Sequence, residues 1–329
     1  MTINPFLRSL TEKILQAPDT PISREDALAL TRISGNDMVD LLACAHKITA
    51  ANLPQDIFTC TIINAKSGMC SQDCAFCAQS AHHRTNVRIY PLMGEKDMTV
   101  RALAMAAAGA TYFSMVTSGE RLTDPEIDVI CAATSEIKRK TSLTVCGSLG
   151  LLAQNQAERL KMSGMTNYHH NLETAESFFP RICTTHTYEE DIETLRAATS
   201  SGMHACSGGI LGLGESWNQR VELALTLKSL GVHRIPINFL HPIPGTRLEH
   251  QSLLSPMDAL KAIALFRFIH PKTDITICGG REHTLKDYQS WIFMAGANGV
   301  MIGNYLTTQG RDMGMDLDMI DTWQRLLRR

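Results

Sequence analysis

From about residue 57 onward, short runs of β-branched and aromatic residues alternate with longer stretches in which apolar residues return at helical spacing. The short runs predict strands over residues 57–64, 111–116, 143–149, 167–172, 204–210, 233–240, 274–278 and 299–302. The longer stretches predict helices over 98–108, 124–138, 154–162, 189–199, 217–230 and 256–268. Gly109, Gly164, Gly202 and Gly231 each fall between a helix and the next strand, where a left-handed residue turns the chain. Eight strand-then-helix units with short joints predict parallel strands, right-handed crossovers and an α/β fold of the TIM-like (β/α)8 barrel type. An open doubly wound sheet is the alternative arrangement of the same units. Helical patterns over 23–33 and 37–49 predict N-terminal helices packed outside the barrel. The expected division is a helical extension over residues 1–56 and one barrel domain over 57–329.

Composition narrows the function classes. The 329 residues suit one α/β barrel, and a hydrophobic content of 44% is enough for a large core. Thirty-one Lys and Arg against 33 Asp and Glu leave a net charge of −2 without long runs of either sign. Nucleic acid and membranes are therefore not expected as partners. The opening residues lack a basic stretch followed by an apolar one, and no apolar run reaches bilayer length, so the expected location is the cytoplasm. In that reducing compartment ten cysteines point to metal binding or catalysis rather than a disulfide scaffold.

Three of those cysteines form a motif. Cys70, Cys74 and Cys77, spaced Cys-x3-Cys-x2-Cys, follow the first predicted strand directly, at the barrel face where active sites are built. One loop with this spacing can wrap three thiolates around a [4Fe-4S] cluster and leave the fourth iron open. A closed Cys3His zinc site using His82 or His83 is the plainer alternative.

This triplet resembles that of the radical S-adenosylmethionine superfamily, whose open iron chelates the amino and carboxylate groups of S-adenosylmethionine. The resemblance implies that Phe76 faces the adenine and that Ser118-Gly119-Glu120 contacts the methionyl amino group. It implies an adenine-packing role for the Gly208-x-Ile210-x-Gly212-x-x-Glu215 segment and a ribose hydroxyl contact for Glu173. His186 stands where the superfamily often has a cation for the methionyl carboxylate. The plainer role of these glycines is a tight turn from strand to helix. A dinucleotide fold would want them after the first strand.

Strand parity singles out a second group of cysteines. On the third, fifth and seventh strands Cys146, Cys206 and Cys278 alternate with outward apolar residues, and Cys60 takes the inward parity on the first. Arg234 faces inward on the sixth, to balance negative charge or form an ion pair at the barrel floor. A lone interior Cys packs as a small hydrophobe, but several converging on one cavity predict a second iron–sulfur cluster. Cys44, Cys131 and Cys183 are expected to have packing roles only.

A wider set of segments resembles the biotin synthase family: Tyr168-His-His-Asn-Leu-Glu173, Cys183-Thr-Thr-His-Thr-Tyr188, Cys206-Ser-Gly-Gly-Ile-Leu-Gly-Leu-Gly-Glu215, Pro236-Ile-Asn-Phe-Leu-His-Pro-Ile-Pro-Gly-Thr246 and Gly279-Gly-Arg-Glu282. The resemblance implies sulfur insertion into dethiobiotin, with an auxiliary cluster as sulfur donor and Asn171 and Asn238 on the ureido ring. It also implies a flavodoxin- or ferredoxin-type electron donor and admits a homodimer. Better-known members hold a [2Fe-2S] auxiliary cluster with a cysteine and an arginine where this chain has Ser114 and Thr276. With Cys278 and Cys60 available instead, an all-thiolate set suits a four-iron auxiliary cluster. Two rival functions share these features: a related maturase or mutase for another cofactor, and an iron–sulfur scaffold or electron carrier.

Overall fold

A computed structural model describes residues 3–327. Its sheet is built from β1 (Phe58–Lys66), β2 (Tyr112–Thr117), β3 (Thr144–Ser148), β4 (Asn167–His169), β5 (His204–Cys206), β6 (Gly209–Leu211), β7 (Arg234–Phe239), β8 (Asp274–Ile277) and β9 (Gly299–Met301). Every ladder between them is parallel, and β1 pairs with both β2 and β9. At the other side β5 pairs with β4 and meets β7 at Cys206 and Arg234, while β6 continues along β7. The ring is therefore closed, with β5 and β6 as two halves of one stave, and the open-sheet alternative falls.

The break in the fifth stave, predicted as one continuous strand, has a steric cause. A Cβ on Gly208 would collide with the carbonyl oxygen of Pro236, and one on Gly209 with that of Glu173. Only glycine lets the chain pass this close to its neighbours. The Gly208 N–H leaves the ladder and donates instead to Asn171 Oδ1 at 3.2 Å.

Helices α1 (Pro5–Gln16), α2 (Arg24–Thr31) and α3 (Asp37–Asn52) precede the barrel. The crossovers carry α4 (Glu95–Ala107), α5 (Asp124–Lys140), α6 (Gln154–Met162), α7 (Tyr188–Ser200), α8 (Trp217–Ser229) and α9 (Pro256–Ile269). Three of them start at capping boxes, Thr123 with Glu126, Thr187 with Glu190 and Ser216 with Gln219. The chain ends in α10 (Arg281–Leu285), α11 (Trp291–Met294) and α12 (Met313–Leu327). The sequence pattern did not predict α1, which buries Leu7, Leu10 and Ile14 behind an Asn4 cap, or the last three helices. No helix among the described residues is long and apolar enough to cross a membrane.

The N-terminal helices lie over one flank: α3 packs on α9, and α2 on α8 and α9. Sandwiched in this way, α9 is buried continuously from Ala259 to Ile269 apart from Lys261. That burial includes Arg267, whose guanidinium donates to the carbonyls of Gly296, His270 and Thr273 at 2.8 Å each. Burial lowers its pKa to about 9, against the opposing pull of the Asp274 carboxylate.

A second buried arginine anchors the C-terminus. Arg281, at the start of α10, pairs with Asp316 of α12, both side chains fully buried, and donates to Gln289 Oε1 at 2.6 Å. Removing Asp316 leaves that guanidinium short of its buried counter-charge. Asp316→Ala is expected to lose about 3–5 kcal/mol of stability in urea unfolding; a loss below about 1 kcal/mol would show that Glu282, 3.7 Å from the Arg281 guanidinium, and Gln289 suffice to hold the charge.

Candidate active site

The Cys70 loop leaves β1 through two left-handed residues, Gly68 (φ 78°) and Met69 (φ 53°). A Cβ on Gly68 would press on Ile89, so the turn requires glycine on both counts. Backbone bonds then close the loop on itself: the Cys70 N–H donates to the Gln79 carbonyl at 3.0 Å and the Ala81 N–H to the Cys70 carbonyl at 2.8 Å. The Gln79 side chain caps the turn by accepting from Ser67 and Gly68. Cys70, Cys74 and Cys77 are left half-buried, without disulfide partners. His82 and His83 instead engage the carbonyls of Ser71 and Cys77 at 2.9 Å. Neither completes a Cys3His site.

Two cavities meet beneath this loop. The smaller, about 180 Å3, is lined by Cys70, Cys74, Gly119 and Glu120. The larger, about 340 Å3, runs down the barrel and is lined by Phe76, Cys77, Ile210, Asn238 and the interior cysteines. Ser148, His169, Asn171 and Glu173 line both. Ser118 and Gly212, expected at the cofactor, line neither. The Ser118 hydroxyl is committed to the Gly68 carbonyl at 2.8 Å, and the Gly212 N–H to Glu215.

Glu173 stands at the junction on a left-handed backbone (φ 60°), unusual for a residue with a side chain. Burial, reinforced by Asp191, pushes its carboxyl up to about 8, so it holds its proton near neutral pH in the protein alone. Across the smaller cavity Asp191 accepts from His170 at 2.7 Å and from His186 at 3.2 Å. Burial works against a charged His186, but hydrogen bonds from it to Asp191 and Cys183 prevail and raise its pKa to about 10. The expectation that Cys183 serves packing alone needs correction. It lines this cavity, with its sulfur 3.8 Å from that of Cys74 and 3.2 Å from His186 Nδ1. Asp191 and His170 also escaped the sequence reading: an acid in the first turn of α7 looks like an ordinary helix start.

Deeper in the barrel Cys60, Cys146, Cys206 and Cys278 all line the larger cavity. They stand on or directly after β1, β3, β5 and β8, the first, third, fifth and seventh staves. Alternate staves of such a barrel supply one layer of four interior side chains; here that layer is made of thiols. Burial raises Cys60 to about 11 and Cys206 to about 12. Cys146 and Cys278 lie well above their usual range, first through burial and then through repulsion from Cys60 and Cys206. Arg234 is the one fixed positive charge among them. Its Nη1 lies 3.9 Å from the Cys60 sulfur, Nη2 contacts Asp274 at 3.1 Å, and the guanidinium stacks on Phe58 and Tyr112. Two buried polar atoms on this wall, Arg234 Nε and Thr276 Oγ1, have no protein partner. Among the described residues no three His, Cys, Asp or Glu side chains converge on a single-ion site. The thiols surround a space instead, and their chemistry fits a group of several iron ions.

Between the two thiol sets lie Asn171 and Asn238. Asn171 accepts from Gly208 N–H and donates to Glu173 at 3.3 Å, while Asn238 accepts from Gly279 N–H at 3.0 Å. Each amide is held in place by the wall and retains hydrogen-bonding capacity toward the cavity.

Comparison with known proteins agrees with this architecture. Residues 66–227 match the Radical SAM superfamily, and residues 236–325 the Biotin and Thiamin Synthesis associated domain. A biotin synthase of Syntrophus aciditrophicus is 55% identical over 322 residues, covering 98% of this chain and 99% of the relative. One from Geobacter metallireducens is 49% identical over 97% of this chain and 96% of its own. Among solved structures, methylornithine synthase superposes with a TM-score of 0.82 at 18% identity, covering 95% of each chain. A maturase of the [FeFe]-hydrogenase reaches 0.81 at 16% identity, over 97% of this chain and 74% of that one. Those two likenesses establish the barrel; the full-length identities reach further, and with them the chain belongs to the biotin synthase family of radical S-adenosylmethionine enzymes.

Proposed function

We propose that the protein inserts sulfur into dethiobiotin to form biotin, using a radical-generating site under the Cys70 loop and a sulfur source in the barrel. The observation that carries this reading is the layer of four thiols in the same cavity as the two asparagines. A radical enzyme that only abstracts hydrogen needs no second thiol layer beneath its substrate.

Cys70, Cys74 and Cys77 would hold the [4Fe-4S] cluster, which with S-adenosylmethionine supplies a 5′-deoxyadenosyl radical able to take hydrogen from an unactivated carbon. Phe76 and Ile210 would flank the adenine, Glu173 would take a ribose hydroxyl, and Gly119 and Glu120 would face the methionyl end. Protonated His186, braced by Asp191, would supply the positive charge for the methionyl carboxylate. Asn171 and Asn238 offer a urea both donor and acceptor, fixing the ring with its reacting carbons toward the thiols. Cys60, Cys146, Cys206 and Cys278 would hold an auxiliary cluster, with four irons favoured because all four ligands are thiolates. Arg234 would offset part of its negative charge. The narrow, largely apolar barrel keeps water from a reactive carbon centre. The fold divides for this purpose into the flanking helices of residues 1–56 and the barrel from 57 on. The reaction belongs in the reducing cytoplasm with a flavodoxin- or ferredoxin-type protein as electron source, and the resemblance admits a homodimer.

Anaerobic protein given dethiobiotin, S-adenosylmethionine and a reductant is expected to yield biotin, identified by mass spectrometry. Formation of 5′-deoxyadenosine without biotin would move the chain to a related maturase or mutase. Replacing Cys70, Cys74 or Cys77 by Ala should abolish 5′-deoxyadenosine formation, and survival of that product in any variant would sink the assignment of the radical site.

Cys278→Ser should lower iron content by up to one cluster and stop sulfur insertion, while 5′-deoxyadenosine still forms. Mössbauer spectra with a [2Fe-2S] signature that survives this change would refute the four-thiolate set. Asn171→Ala or Asn238→Ala should weaken dethiobiotin binding by about 1–3 kcal/mol with both clusters intact, and unchanged affinity in both would remove the ureido role.

A further inference from the structure

Among the four thiols of the barrel, Cys206 has a distinct neighbourhood. Parallel pairing sets it in register with His169 on β4 and with Arg234 on β7. The three side chains therefore share one tier of the wall, and all three line the larger cavity. His169 Nδ1 lies 3.4 Å from the Cys206 sulfur, a hydrogen-bond contact between neighbouring staves. The sulfurs of Cys146 and Cys278 instead contact carbonyls two residues back in their own chain, Thr144 at 3.9 Å and Thr276 at 3.7 Å. A carbonyl accepts from a thiol but offers a thiolate nothing. His169 also lines the smaller cavity, so Cys206 is the thiol in contact with a residue of the junction between the two sites.

We propose that His169 acts through Cys206: its Nδ1–H donates to the Cys206 thiolate and so raises the reduction potential of the auxiliary cluster held by the thiol layer. The proposal rests on the auxiliary-cluster reading above. A cysteine bound to iron is a thiolate and only accepts, so the ring nitrogen facing it carries the proton. A hydrogen bond to a sulfur strengthens as that sulfur gains negative charge. Reduction adds one negative charge to a cluster and part of it falls on the ligand sulfurs. The bond therefore favours the reduced form, which is how hydrogen bonds to sulfur tune such potentials. Arg234 acts on the same tier as a charge divided between Cys60 and Asp274. His169 is aimed at a single sulfur.

The test is a potentiometric titration of anaerobic holoprotein carrying both clusters, read by electron paramagnetic resonance. His169→Phe keeps a ring and removes the donor. It is expected to lower the midpoint potential of the auxiliary cluster by about 59 mV, a tenfold shift of a one-electron equilibrium. His169→Asn, whose side-chain N–H can take the place of Nδ1–H, should return most of that shift. Histidine carrying the heavy nitrogen isotope gives a readout in the unaltered protein. Pulsed spectra of the auxiliary cluster should show a weak coupling to the labelled nitrogen and to an exchangeable proton, and His169→Asn should remove the labelled coupling. An unchanged potential in His169→Phe, an equal fall in both variants, no labelled coupling, or the strong coupling of a ring bound directly to iron would each overturn the proposal. If His169→Phe does not retain the cluster, the labelled spectra decide. Absence of a second cluster from the unaltered protein would instead overturn the auxiliary-cluster reading itself.

Discussion

Thiols become good ligands for iron only as thiolates, and thiolates crowded into a chamber with little water repel one another. Around the barrel axis Cys60, Cys146, Cys206 and Cys278 meet that condition together, and burial and mutual repulsion hold them all protonated in the protein alone. One guanidinium, itself shared with Asp274, cannot offset four negative charges. Held neutral by their protons the four thiols need no counter-charge; as ligands of the proposed auxiliary cluster they would lose those protons, and a polynuclear cation would then balance them. Around this layer Phe58 and Tyr112 flank Arg234, and the two asparagines line the same cavity.

Placement of this kind requires staves that do not move. The flank beneath the N-terminal helices is held by Arg267, which ties the end of α9 to the loops on either side of it without an ion pair of its own. The C-terminal flank is held by Arg281 and Asp316. Both arginines lie outside the cavity. They stabilise the segments carrying Cys278, Gly279 and Tyr305, so the geometry at the substrate depends on charges the substrate never meets.

Much of the barrel could be read in advance because each stave is a short apolar run, many of them preceded by a glycine, and parity along a strand allows only two faces. Cys146, Cys206 and Cys278 line the cavity as parity expected, and Cys60 does so too. Parity fails where the backbone leaves the ladder. The break at Gly208 depends on how closely Pro236 approaches from the next stave, a contact no single strand reveals. Cys183, Asp191 and His170 come from a connection and a helix start, where sequence spacing carries no directional rule. Ser118 and Gly212 sit in the segments that resemble the superfamily, yet their polar groups hold the loops and not the cavity wall. Of the final helices, α10 and α11 are too short to show a period, whereas the 15 residues of α12 are long enough to show one and were missed all the same.

Interior positions of a parallel barrel form a grid, two residues apart along each stave and one stave apart around the ring. Relative to the better-known members of the family, this chain has Ser114 and Thr276 at two grid points and cysteines at two others, Cys60 and Cys278, on the wall of the same cavity. Nothing in the backbone has to shift for such an exchange, since every inward position already points at the axis. Under the proposed ligand set, such an exchange would move ligands around the ring while the strands keep their register. For comparing distant relatives, the wall a residue faces is then a better guide to kinship of chemistry than the column it occupies in an alignment.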